Sequence, residues 1–266
     1  MNKKTIYSLL TIACIIGFWL FENFYTPDTY TAPKQEDNTV NITNDFLPSS
    51  TTGSIVHHNH YSLSYNEKHE QAEWVAYELN KDQLTYDDRK RPYFIEDPKV
   101  KTKSADWRNY RGSGYDRGHL CPAGDRRFSE YAYNETFYTS NISPQNNDFN
   151  AGIWNELEKK VRYWTKKYNS VYVVTAGVLE NNLSSIGDED VSVPNYFYKI
   201  VARKEGADIK ALAFLFKNES SNKSLKKFLV TIDELENMTG INFFENVSDD
   251  IENKLEGKIE TSGWKF

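Results

Sequence analysis

Two apolar runs of strand length, YFYKIVARK at 196–204 and IKALAFLFKN at 209–218, are separated only by EGAD. A gap that short between two such runs is a hairpin turn, so this part of the chain is committed to sheet. SVYVVTAGVL at 170–179 is a further buried strand, and YSLSY (61–65) and EWVAYEL (73–79) alternate as strands do. Among them lies FNAGIWNELEKKVRYWTKKY, 149–168, with apolar residues at 153, 154, 157, 161 and 164, a helical stripe. TIDELENMTG, 231–240, is a short capped helix that stops at Gly240. Strands and helices mix without a regular βαβ alternation, and no internal repeat is present. The fold class expected is therefore α+β.

With 266 residues, 39% of them hydrophobic, the chain is long enough to bury a sizeable core. Its mean hydropathy of -0.70 excludes a polytopic membrane protein. One segment departs from that mean: MNKK is followed by TIYSLLTIACIIGFWLF, residues 5–21, which carries no charge. Such a run is a secretory signal peptide or a membrane anchor. The bulky FWLFENF end offers no small-x-small cleavage site, which favours an anchor. The basic residues precede the run, so the rest of the chain is expected outside the cytoplasm, either anchored or secreted into a periplasm or medium. The expected organisation is an N-terminal segment over 1–24, a polar, turn-rich linker over 25–52, and one folded domain over 53–266. Cys14 and Cys121 make no disulfide framework.

The formal net charge of -6 argues against a polyanion as partner, but the charge is unevenly placed. Residues 87–127 hold 11 Lys and Arg against 7 Asp and Glu, which leaves the remainder at a net -10. One basic region on an acidic chain fits contact with a polyanion at one place. At its centre is RGSGYDRGHLCPAGD, 111–125, too glycine-rich for a helix. Phosphodiester hydrolysis needs a base for water, cations for the phosphoryl oxygens and help for the leaving oxygen. Histidine titrates near neutrality, arginine forks onto phosphate, and glycine lets backbone approach a ligand. YDRGH supplies all three within five residues.

RGSGYDRGH followed by TSNISPQNNDFNAGIWNELE resembles the family of DNA/RNA non-specific endonucleases, the Serratia nuclease and endonuclease G-like ββα-metal nucleases. The resemblance extends over about residues 54–245, from WVAYEL and RKRPYF to TGINFF. It implies a central antiparallel sheet flanked by helices, with a ββα-metal element at the active site. It implies His119 as general base, and Asn150 as the protein ligand of Mg2+, with Mn2+ the alternative ion. Arg117, Glu158 and Asn141 match further residues of the family's site. Phosphate-holding arginines are implied at Arg111 and in RKRPYF, where Arg89 and Arg91 both remain open. The substrates implied are DNA and RNA, held by their backbone phosphates. Since these residues address phosphate, water or metal and not base edges, cleavage is expected to be sequence-independent and to leave 5′-phosphates.

Each residue also has a plain reading. His119 would serve as a hydrogen-bonded structural histidine, Asn150 as a helix N-cap, Glu158 as a surface glutamate, and Arg111 and Arg117 as solvated cations. Asp116 braces a turn, Trp154 belongs to the core, and Cys121 is a small buried residue. HHNH at 57–60 suggests a metal, but alternation sends its side chains to opposite faces. Two other functions compete: a membrane-tethered nucleic-acid-binding protein without catalysis, and a phosphodiesterase acting on small molecules. Retention of both His119 and Asn150 speaks against the first, and the basic region against the second.

Overall fold

The computed structural model of the chain describes residues 2–25, 27, 29–31, 46–206 and 208–266. Helix α1 (Lys3–Phe24) starts at Asn2, whose side chain accepts the Lys4 N–H. Its 22 residues and mean hydropathy of 1.7 are enough to cross a bilayer, and none of it is buried against the rest of the chain. Strands β1 (Ile55–His57), β2 (Ser62–Asn66) and β3 (Gln71–Asn80) follow as an antiparallel meander. Next come β4 (Asp116–His119), α2 (Glu130–Glu135) and β5 (Ile142–Gln145), then α3 (Asn147–Phe149) and α4 (Asn155–Tyr168). The chain ends with β6 (Ser170–Gly177), β7 (Ser185–Ile186), β8 (Val191–Ser192), β9 (Tyr196–Glu205), β10 (Asp208–Lys217), β11 (Leu229–Val230), α5 (Ile232–Thr239) and α6 (Asp249–Glu256).

Seven strands form one antiparallel sheet in the order β1-β2-β3-β6-β9-β10-β11. The β9–β10 hairpin pairs Tyr196 with Lys217 at one end and Glu205 with Asp208 at the other. Its turn contains Gly206 at φ 67°, where any side chain would be strained. The amphipathic α4 lays Leu157, Val161 and Trp164 on the sheet, while its charged face stays outside. Thr231 caps α5 by accepting the Glu234 N–H, and Gly240 ends it at φ 71°, as the sequence predicts. Strands β4 and β5 pair only with each other, in a separate ladder that leads straight into α3 and α4. Sheet, separate ladder and helices together make the expected α+β architecture.

The packed domain begins earlier than residue 53. Phe46 is 2% exposed and stacks on Tyr172 at 3.9 Å between ring centroids. The Ser49 carbonyl accepts the Trp74 indole N–H. Phe46 and Leu47 form an isolated apolar pair in a polar stretch, so no periodicity announces them. The rest of the expected linker, over 32–45, lies outside the described residues. The histidines of HHNH separate by face. His57 bonds Ser62, and buried His58 sits between Asp97 at 2.8 Å and Glu135 at 3.5 Å. Burial opposes a charge on His58, but the two carboxylates hold its pKa above the ordinary value. Its neighbours are thus two carboxylates.

Candidate active site

The β4–β5 ladder sets the site. Asp116 faces Gln145, Gly118 faces Ser143, and His119 faces Ile142. Gly118 is required for space: a Cβ there would lie 2.2 Å from the Gln145 side chain, which is fully buried. Immediately after β4, Asn141 clamps the backbone. Its Oδ1 accepts the Cys121 N–H, and its Nδ2 donates to the carbonyls of Cys121 and Thr136. Asn141 is 0% exposed with every bond spent on backbone, so it positions the end of β4 and does not reach a substrate. The resemblance places Asn141 among the catalytic residues, whereas its side chain here bonds only backbone.

Three cationic or titratable groups share one aromatic shelf. The His119 ring stands edge-on to Phe137, 4.9 Å between centroids, and 5.6 Å from Phe94. Arg91 lies over Phe94 and Phe137 at 5.4 and 5.7 Å, and Arg117 over Phe94 at 4.9 Å. Neither guanidinium has an ion pair or hydrogen bond among the described residues. Burial and the Arg91 charge push His119 down to about 3, so its imidazole is neutral across the physiological range. Its Nε2 is buried without a partner.

Of the two arginines of RKRPYF, Arg91 is the one on this shelf. Arg89 is used inside its own loop, with Nε donating to the Arg127 carbonyl and a terminal nitrogen to Asp87. Arg111 lies over Trp107, which Arg117 also covers at 5.7 Å, and donates to the Glu22 carbonyl at the end of α1. Arg108, which sequence reasoning passes over, also bonds that helix end through the Glu22 and Tyr25 carbonyls.

Asn150 is brought in from the helical side. The N-cap is Asn146, which accepts the Asp148 and Phe149 N–H groups, so Asn150 does not cap the helix as expected. Residues 150–154 form a π-turn that α4 then continues, with Gly152 at φ -94°, ψ -112°, off the helical path. Such turns splay side chains away from the regular helical rows. Asn150 Nδ2 donates to Asp116 Oδ2 at 2.9 Å, and Asn147 Nδ2 donates to the same carboxylate. Because only the nitrogen can donate, Asp116 fixes the amide and leaves Asn150 Oδ1 as a free acceptor. A single hard oxygen suits an ion such as Mg2+ that keeps most of its waters, so the residue present fits the role. Asp116 is the positioning residue the sequence hides, since nothing local links it to a partner 34 positions away.

Glu158 joins a different group. It opens α4, and its charged neighbours are Lys199, Asp125 and Arg162. Burial pushes its carboxyl up to about 7, opposed chiefly by Lys199. Lys199 is itself fully buried, 4.4 Å over the Trp154 ring, and burial lowers it to about 8. Cys121 is buried, its thiol raised to about 12 chiefly by burial, which makes it inert as a nucleophile.

The chain is similar to known nucleases. A family model described as DNA/RNA non-specific endonuclease matches residues 38–250. The zebrafish protein named mitochondrial nuclease EXOG is 36% identical over 74% of this chain and 62% of its own length. Human mitochondrial endonuclease G is 34% identical over 70% of this chain and 68% of its own. The chain thus spans about three-fifths of the length of several relatives, including the mouse and human EXOG proteins at 61% and 59%. A crystal structure of an EndoG/EndoGI complex superposes with a TM-score of 0.69 at 30% identity, covering 77% of this chain and 91% of that one.

Proposed function

The chain belongs to the DNA/RNA non-specific endonuclease family, and from that premise we propose that it hydrolyses phosphodiester bonds in DNA and RNA, with His119 as general base. The observation that carries this reading is the neutral imidazole of His119 beside two unpaired guanidinium groups. A neutral histidine can take a proton from water, and unpaired arginines fork onto phosphate oxygens. An arriving phosphodiester offsets the Arg91 charge and raises the basicity of His119 at the moment it is needed. Arg91 and Arg117 hold the phosphate, and the aromatic shelf of Phe94 and Phe137 limits water around it.

Asn150 would hold Mg2+, or Mn2+ in its place, through Oδ1, with Asp116 keeping the amide turned. When bound, the ion supplies positive charge for the phosphate and the leaving 3′ oxygen. Departure of that oxygen leaves a 5′-phosphate. Glu158 acts through the charge group it shares with Lys199, Asp125 and Arg162. None of the groups named reads a base edge, so cleavage is independent of sequence. The apolar α1 anchors the chain in a membrane, with the folded domain outside the cytoplasm.

The test is cleavage of plasmid DNA and structured RNA by the purified protein, with Mg2+ or with EDTA, beside His119→Ala. The wild type should cut both in Mg2+ to 5′-phosphate ends, and His119→Ala should lose about 10²–10⁴-fold in rate with substrate binding retained. Wild-type turnover in His119→Ala, or a fixed recognition sequence, would sink the reading.

A further inference from the structure

Away from His119, α5 and α6 bring carboxylates together. Asp233 and Glu236 lie one turn apart on α5, and Glu256 ends α6. One carboxylate oxygen from each lies within 4.8 Å of the other two. Oxygens bound to one cation lie no further apart than about twice the 2.0–2.6 Å metal–oxygen distance, so these three are close enough to share an ion. Clustered carboxylates alone mean little, but Glu256 adds a separate observation. It is only 8% exposed, and its Oε1 meets no donor. Among the described residues no lysine, arginine or histidine forms an ion pair with any of the three.

The polar help that does arrive is slight. Glu236 Oε1 accepts the Phe243 N–H at 2.9 Å. Glu252, also on α6, adds a fourth negative charge nearby, and its Oε1 accepts from Asn242. A buried carboxylate facing others without a counter-charge is costly. Burial, then Glu236, Glu252 and Asp233, push Glu256 up to about 8.

We propose that Asp233, Glu236 and Glu256 bind a Ca2+ ion that clasps α6 onto α5, at a site separate from Asn150. The donor set is all oxygen, which excludes a preference for soft metals. Carboxylates on two helices adapt to the loose geometry of Ca2+ better than to the strict octahedron of Mg2+. Both helices pack on β10, so the clasp secures the C-terminal edge of the sheet. A chelator would then act on this protein twice, once on catalysis and once on stability.

The experiment is thermal unfolding of the full-length chain in detergent, stripped of metal and then given Ca2+ or Mg2+ at about 1 mM, the upper range for extracellular-type sites. At about tenfold excess over Kd, Ca2+ should raise Tm by about 3–6 °C, with a smaller rise for Mg2+. The paired variant Glu236→Gln with Glu256→Gln should lose that rise and bind one Ca2+ fewer by titration calorimetry. Glutamine removes uncompensated charge, so without metal this variant should melt no lower than the stripped wild type. Glu256→Gln alone should weaken Ca2+ binding in the same direction. A wild-type Tm indifferent to Ca2+, an equal rise in the paired variant, or an equal rise with Mg2+ would overturn the proposal. So would a Ca2+-insensitive Tm that climbs as pH falls from about 8 to about 6, which would show a proton shared between glutamates in place of an ion.

Discussion

Gly118→Ala tests whether the β4–β5 ladder sets the reacting geometry. The added Cβ would lie 2.2 Å from Cδ and Oε1 of Gln145 and 2.5 Å from its Cγ. Non-bonded carbons rest at about 3.5–4.0 Å, so more than about 1 Å of movement must be absorbed. Gln145 is 0% exposed and cannot swing into solvent. The strands must therefore part, at a cost of about 1–3 kcal/mol, as for other overpacked sites. His119 is the next residue, and Asp116, which orients Asn150, is paired directly with Gln145. A displacement of about 1 Å there should lower kcat by about 10²-fold. Rescue separates this account from general damage. Both polar atoms of the Gln145 amide are buried without partners, so trimming it forfeits no hydrogen bond. Gln145→Ala in the Gly118→Ala background should recover most of kcat and show a favourable interaction energy of about 1–3 kcal/mol in a double-mutant cycle. Plasmid cleavage under saturating substrate, with Tm measured in parallel, reads both quantities. Wild-type kcat in Gly118→Ala, or no recovery on trimming Gln145, would refute the reasoning.

Three further outcomes are expected. Arg91→Ala should raise KM by about 10–100-fold, the value of a charge-assisted contact, while Arg89→Ala stays near wild type; equal effects would return the choice between them to open. Asp116→Asn should raise the Mg2+ concentration for half-maximal activity by about tenfold or more, in the same direction as Asn150→Ala, and an unchanged Mg2+ dependence in both would remove Asn150 from the metal site. His119 loses activity only when protonated, and its free-protein pKa is lowered to about 3, so kcat/KM should hold level as pH falls from about 8 to about 5. The acid limb of kcat should sit at higher pH than that of kcat/KM, because bound phosphate offsets Arg91; an acid limb of kcat/KM near 6.5 would show that the shelf does not tune the imidazole.

Local signals in the sequence were legible where the physics is local. The β9–β10 hairpin follows from two apolar runs and a four-residue gap, and α5 from a capping threonine and a terminal glycine. Glycines around YDRGH argue against a helix there, while the strand position of His119 follows from the family resemblance. What escaped depends on partners far along the chain or on irregular backbone. NNDFN offers Asn146, Asn147 and Asn150 as caps, and only the fold shows that Asn146 caps while Asn150 turns to Asp116. RKRPYF has no period, so spacing cannot tell Arg89 from Arg91. Asn141 shows a different limit: a motif match identifies a residue the site needs without saying whether it touches the reacting atoms. Its amide is consumed by Cys121 and Thr136, so its contribution is to where β4 ends.

The charges around His119 are arranged as an incomplete set. Asp125 is taken by Arg162 at 2.6 Å, and Asp106 by Arg108 at 2.7 Å. Asp116, the carboxylate on β4 itself, is engaged by two asparagine amides. Arg91 and Arg117 are left facing each other over Phe94, and each makes the other costlier; burial and Arg91 lower the pKa of Arg117 as they do that of His119. A fold that sought only stability would place a carboxylate between two such guanidinium groups. Left unpaired among the described residues, Arg91 adds to the burial that keeps the imidazole neutral. On the proposed function a phosphodiester would supply the missing charge, relieve the repulsion and lift the part of the His119 depression that Arg91 causes. Substrate binding and base activation are then coupled through the same Arg91 charge, so a variant that neutralises Arg91 should weaken binding and, at the same time, free the imidazole to titrate nearer its ordinary value.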